Sequence, residues 1–194
     1  DPVGLILDKR LGLVRGDELV TNGDFTTTFD FPWAPINSST VANADGTCTV
    51  TLTGVAYGGI SQVAISMVAG SWYEIIGNFD AGNTGDVVAM RIADSTFGLL
   101  KDIGTTGATP ATLRQIVRAT ATGTGEVTFY ANGLTGEFHV YSVSVRELPG
   151  NHAFQATSAS RPIFRDVGGY RYLEYDGVDD HMIVELTTTI VGPE

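Results

Sequence analysis

The sequence predicts an all-β protein built as an antiparallel sandwich or barrel. Three observations lead there. Short runs of alternating apolar and polar residues recur along the chain. Clusters rich in Gly, Asn, Asp and Thr separate them at intervals of about 8–14 residues. Helical periodicity is hard to find in any window, so very little helix is expected.

The runs follow in order. "CTVTLTGV" (48–55), "ISQVAISMV" (60–68), "WYEIIGNF" (72–79) and "VVAMRIAD" (87–94) are followed by "LRQIVRATA" (113–121), "EVTFYANG" (126–133) and "FHVYSVSVREL" (138–148). Successive side chains of a strand point to opposite faces, so alternation assigns an inside and an outside. Tyr73, Ile75, Gly77 and Phe79 share one face of their run; Trp72, Glu74, Ile76 and Asn78 share the other. Val88, Met90 and Ile92 form a core face, which puts Arg91 outside. Val127 and Phe129 point in, while Thr128 and Tyr130 point out. Trp72, Arg91 and Tyr130 are therefore expected on an exposed polar-aromatic surface.

Composition narrows the function classes. The 194 residues carry 22 acidic against 11 basic side chains, a net charge of −11. Binding a phosphate backbone needs clustered Lys and Arg, so nucleic acid is not an expected partner. Lys9 and Lys101 are the only lysines. No apolar run approaches the roughly 20 residues that span a bilayer, so membrane insertion is not expected. The start shows neither a signal peptide nor an initiator Met, as expected of a processed product or a fragment. Cys48 is the sole cysteine, which rules out an internal disulfide; its alternating context predicts a small core residue.

The order of features carries a resemblance. "ELVTNGDF" (18–25) is followed by Trp33 in "FPW", then by "GGISQVAISMVAGSWYEIIGNFDAG" and "GEVTFYANGLTGEFHVYSVSVREL". This set resembles the jelly-roll carbohydrate-binding modules attached to bacterial glycanases and found in phage particle proteins. The likeness covers roughly residues 17–147. It implies a jelly-roll sandwich whose Tyr73 is buried with one hydroxyl partner. The "NG" pair supplies a tight turn with positive φ, and Gly70 turns the chain between two neighbouring strands. Many relatives hold a structural calcium through a carboxylate in the last strand. Tyr141 stands there in this chain and Asp24 is the remaining contributor, so no cofactor is expected, with calcium held through Asp24 as the alternative. The resemblance also implies a glycan site, and Trp72, Arg91, Tyr130 and Asn132 are the stacking and planar polar types that grip sugars. Burial against the sheet or an interface is the competing use of the two aromatics.

A second resemblance spans the two ends. "DPVGLILDK" joined to "GNHAFQATSASRPIFR" and "YLEYDGVDDHM" resembles the opening of concanavalin/laminin-G-like modules of phage tail and head-associated proteins. Asp8, Lys9, Gly150–Ala153, Gln155–Thr157, Arg161, Pro162 and Asp176–Asp180 carry the match. It implies that a jelly roll (17–147) is inserted into a small, discontinuous β platform made of 1–16 and 148–194. Insertion is tolerated where the inserted domain's ends lie close together.

Chemical motifs are few. "DGVDDH" (176–181) bunches three Asp and one His; capping of backbone N–H groups is the expected use, and a metal or acid-base role the alternative. His139, His152 and His181 are isolated in sequence, and no HExxH, CxxC, GxSxG or P-loop pattern occurs. "NSS" (37–39) is a glycosylation sequon by letter. No catalytic residue is expected. The leading expectation is a non-enzymatic structural or adhesion protein on a bacteriophage-like particle, partnered by virion proteins and copies of itself. Weak binding of cell-surface glycans would come through the jelly roll. The alternative is a carbohydrate-binding accessory module of a secreted, extracellular glycanase or adhesin, and a hydrolase ranks last.

Overall fold

The computed structural model describes residues 3–7, 15–27, 32–37, 40–44, 46–94, 96, 99–133, 135–150 and 152–184. Asp8, Lys9 and Asn151 of the second resemblance lie outside them. The fold is all-β. Fifteen strands and one 3-10 turn (Ser158–Ser160) are ordered along the chain, with no α-helix among the described residues.

The chain divides into two compact units, Arg15–Leu148 and Asp1–Val14 with Pro149–Glu194. The larger unit is a jelly-roll sandwich of strands β2 (Trp33–Ile36), β3 (Thr40–Ala44), β4 (Thr47–Thr53), β5 (Gly58–Met67), β6 (Trp72–Asp80), β7 (Val88–Ala93), β8 (Leu99–Thr105), β9 (Ala111–Arg118), β10 (Gly123–Ala131) and β11 (Thr135–Leu148). One five-stranded sheet runs β2-β5-β10-β7-β8 and the other β3-β4-β11-β6-β9, every pairing antiparallel.

Alternation explains the core between the sheets. Ile60, Val88, Met90, Ile92, Val127 and Phe129 face Cys48, Val50, Tyr73, Ile75, Phe79, Phe138 and Val140, all buried. The Phe79 and Phe129 rings cross edge to face at 5.2 Å. Gly77 lets the sheets close: a Cβ there would lie 2.5 Å from the Met90 sulfur. The Tyr73 hydroxyl accepts a hydrogen bond from the Val68 N–H at 2.8 Å, the partner its burial requires. Burial also pushes the Cys48 thiol up to about 12, so it is an inert core residue.

The structure adds detail to two turns. Gly70 does adopt positive φ (88°), but the strands it joins, β5 and β6, belong to opposite sheets. Neighbours in sequence are here partners across the core, not across a ladder. In "NGDF" positive φ falls on Asn22 (50°) and Phe25 (52°), while Gly23 is needed for close approach, since its Cβ would sit 2.2 Å from the Val143 carbonyl oxygen.

The first and last residues of the sandwich are stitched together. The Gly16 N–H donates to the Glu147 carbonyl at 2.8 Å and the Leu19 N–H to Val145 at 3.0 Å. The Glu18 carboxylate accepts from Ser144 Oγ (2.6 Å), the Val145 N–H (2.8 Å) and Arg146 Nε (3.1 Å).

The smaller unit forms the β platform from both ends of the chain. β1 (Leu5–Ile6) pairs β12 (Ala153–Phe154), which pairs β15 (Ile183–Val184). A hairpin, β13 (Ile163–Val167) and β14 (Tyr170–Glu174), turns on Gly168 and Gly169 at φ 60° and 86°, the two-residue turn with both centres left-handed. Polar side chains are buried here: His152, Gln155 and Ser160. The Gln155 carbonyl accepts from Arg161 Nε at 2.8 Å and its side-chain oxygen from the Thr157 N–H at 2.9 Å. Gln155 Nε2 also lies 2.9 Å from His181 Nε2. The "HAFQATSASRP" motif thus acts as a polar clasp between chain segments.

Candidate functional site

The outer face of the β2-β5-β10-β7-β8 sheet holds the site. Its residues alternate with the core residues Ile60, Phe129 and Met90. Register places Gly59, Tyr130, Ala89 and Gly104 in one transverse row, with Ser61, Thr128 and Arg91 in the next. Ala89 and Gly104 are small, and a cleft of about 500 Å³ opens over them, lined also by Tyr57, Asp86, Val87, Ile103, Tyr130 and Asn132. That volume suits a small-molecule or oligosaccharide segment.

Two tyrosines wall the cleft. The Tyr57 and Tyr130 rings lie 5.9 Å apart at 49°. Tyr57 is 54% exposed and holds φ at 60°, a region that disfavours a bulky side chain. Strain of this kind clusters at ligand clamps. Asp86 is the one carboxylate among the described lining residues, and its Oδ1 accepts the Val87 N–H at 2.7 Å. Arg91 brings a further donor: its Nε is buried with no hydrogen-bond partner among the described residues. Arg91 stands one row away from the residues that line the cleft.

Of the residues the sequence singled out, the structure brings Tyr130, Asn132 and Arg91 to one face. It does not bring Trp72. That residue lies in β6, opposite Leu148 and Arg118, on the other sheet. Alternation tells inside from outside but not which sheet carries a strand, so it could not separate these faces. Tyr57 and Asp86 were missed because both stand in loops; a tyrosine before two glycines in "VAYGG" was the available signal.

Elsewhere, polar clusters are turned inward on themselves. Glu74 is buried on the outer face of β6 between Arg15 Nε at 2.5 Å and the Arg114 guanidinium. Asp80 accepts from His139 Nδ1 at 2.9 Å and from the Tyr141 hydroxyl at 2.7 Å. Burial and the Asp80 carboxylate push that phenol up to about 12, so it remains a donor. Position 141 thus offers a hydroxyl already committed to a carboxylate, and Asp24 Oδ1 accepts from Thr26 Oγ1 at 3.0 Å. Asp176, Asp179 and Asp180 converge within 4.8 Å. Asp176 Oδ1 accepts the N–H groups of Val178, Asp179 and Asp180, and the first of these bonds leads in lowering its carboxyl pKa.

No protein-family profile and no curated protein matches the chain. Solved structures do. A CBM4 carbohydrate-binding module matches with a TM-score of 0.54 at 16% identity, over 66% of this chain and 99% of that one. A xylan-binding domain, CBM22-1 from Paenibacillus barcinonensis, matches at 0.55 and 13%, over 70% and 97%. The enzymatically active domain of bacteriophage CBA120 tailspike protein 4 matches at 0.50 and 17%, over 67% of this chain but 21% of that one. The sandwich therefore has the fold of the carbohydrate-binding-module jelly rolls.

Proposed function

We propose that the sandwich unit is a glycan-binding module that grips a sugar chain along the outer face of its β2-β5-β10-β7-β8 sheet. The observation that carries this reading is the pair of tyrosine rings 5.9 Å apart over a small-residue floor. Aromatic rings offer apolar faces to sugar C–H groups; Asn132 and Asp86 in the lining, and the half-buried Arg91 in the next row, offer hydrogen-bonding groups to hydroxyls. Binding without turnover is favoured, because glycoside hydrolysis ordinarily needs two facing carboxylates and Asp86 stands alone among the described lining residues. The fold likeness supports an accessory glycan-binding role better than a virion-building one. The tailspike likeness spans only 21% of that phage chain. An extracellular setting follows from such a role.

The test is isothermal titration of the full chain against soluble xylan, mixed-linkage β-glucan and galactan. We expect binding to at least one, weakened about tenfold or more by Tyr130→Ala, which corresponds to about 1.4 kcal/mol. Arg91→Met is expected to weaken it as well. Absence of binding to any of the three would sink this reading. So would binding indifferent to both substitutions.

A further inference from the structure

We propose that Asn37 is a positioning residue of this cleft, acting on ligand affinity through Tyr57. The inference rests on the glycan-binding reading and names the residue that shapes its exposed wall. β2 ends at Ile36, which pairs with Gly59 in β5. Beyond that pair the ladder stops, and Asn37 and Tyr57 both turn left-handed, at φ 48° and 60°. Asn enters that region readily because its short amide can bond to backbone nearby; Tyr does not, and keeps such a φ only when its surroundings impose it.

Asn37 imposes it. Its Nδ2 donates to the Ala56 carbonyl and to the Tyr57 carbonyl, each at 3.1 Å. Those two carbonyls belong to the peptide groups on either side of the Tyr57 Cα. Holding both groups holds the dihedrals between them, and so the direction in which the ring leaves the backbone. The far side of the loop supplies little: a Cβ on Gly54 would meet nothing within 4 Å, and Val55 is exposed. The amide therefore links the end of β2 to the ring that faces Tyr130. It also accounts for an asparagine at the head of the "NSS" letters without any sugar attached to it.

The experiment uses the full chain as wild type, Asn37→Gly, Tyr57→Ala and the double variant. Glycine tolerates the left-handed backbone, so Asn37→Gly removes the amide while leaving φ at position 37 unstrained. Titration with the glycan that binds best should show Asn37→Gly weakening affinity about fivefold to tenfold. In the Tyr57→Ala background the same change should cost less than about twofold, because coupled residues are non-additive. Asn37→Asp, which cannot donate, should behave as Asn37→Gly. Equal losses in both backgrounds would overturn the proposal, as would unchanged affinity in Asn37→Gly. A second readout needs no ligand. Ring-to-ring nuclear Overhauser contacts between Tyr57 and Tyr130 should be present in the wild type and lost in Asn37→Gly. If no glycan binds, the proposed function fails, and this contact still decides the role of Asn37: its persistence in Asn37→Gly refutes positioning, and its loss supports it.

Discussion

Asp94 is fully buried at the end of β7 and yet stays ionised. Burial pushes its carboxyl up, but hydrogen bonds from the hydroxyls and N–H groups of Thr120 and Thr96 outweigh it and hold it at about 2, below the usual 3.8. A carboxyl lowered on folding adds stability above its unfolded value and loses it as pH falls through its folded one. The window is therefore from about pH 4 down to about pH 2, and the contribution at neutral pH is about 2 kcal/mol. Asp94→Asn is expected to destabilise by about that much at pH 7 in urea melts, with the gap from wild type shrinking as pH falls through this window. A gap independent of pH would refute the account. Trp72 gives the opposite kind of expectation. Its sheet does not carry the cleft, so Trp72→Ala should leave glycan affinity within about twofold of wild type in the same titration that reads Tyr130→Ala.

Among the elements, β6 shows what a strand's two faces do. Tyr73, Ile75 and Phe79 fill the core, and Gly77 among them leaves room for the Met90 and Phe129 side chains of the facing sheet. An added methyl would press on the Met90 sulfur and the Phe129 ring. Overpacking of this kind typically costs 1–3 kcal/mol. Gly77→Ala is expected to lower the urea midpoint accordingly while the remaining folded protein binds glycan as before. Full retention of stability would show that the core has slack there. The outer face of β6 was legible only in part. Glu74 was placed outside by alternation, but its burial depends on Arg15, which is 59 residues upstream (74 − 15).

At the scale of the whole chain, the sandwich carries its own closure. Gly16 and Glu147 are hydrogen-bonded and Glu18 ties down Ser144, Val145 and Arg146. Among the described residues, every buried hydrophobic side chain of this core lies between Val20 and Val145. Residues 15–148 expressed alone are therefore expected to melt cooperatively and to bind glycan with the affinity of the full chain. An unfolded product would mean that the division into units is only geometric. The platform is built differently. Its described interior is polar, and Tyr170 and Val178 are 79% and 86% exposed.

The sequence by itself determined the strand period, the inward residues and the turn positions. Those are local quantities, set by side-chain alternation and by the backbone freedom of Gly and Asn. The sequence left out β2, β3, β8 and the β13–β14 hairpin, whose short or mixed patterns alternate poorly, although Gly168-Gly169 was a turn signal within the last. Tertiary structure alone decided which sheet each strand joins. That choice put Trp72 on one sheet and Arg91 and Tyr130 on the other, drew Tyr57 and Asp86 from separate loops to one cleft, and set the Asn37 amide on the backbone of Tyr57. The physical reason is that strand pairing is a long-range choice made by packing and hydrogen bonding across the whole core, whereas alternation is repeated by every strand on either sheet.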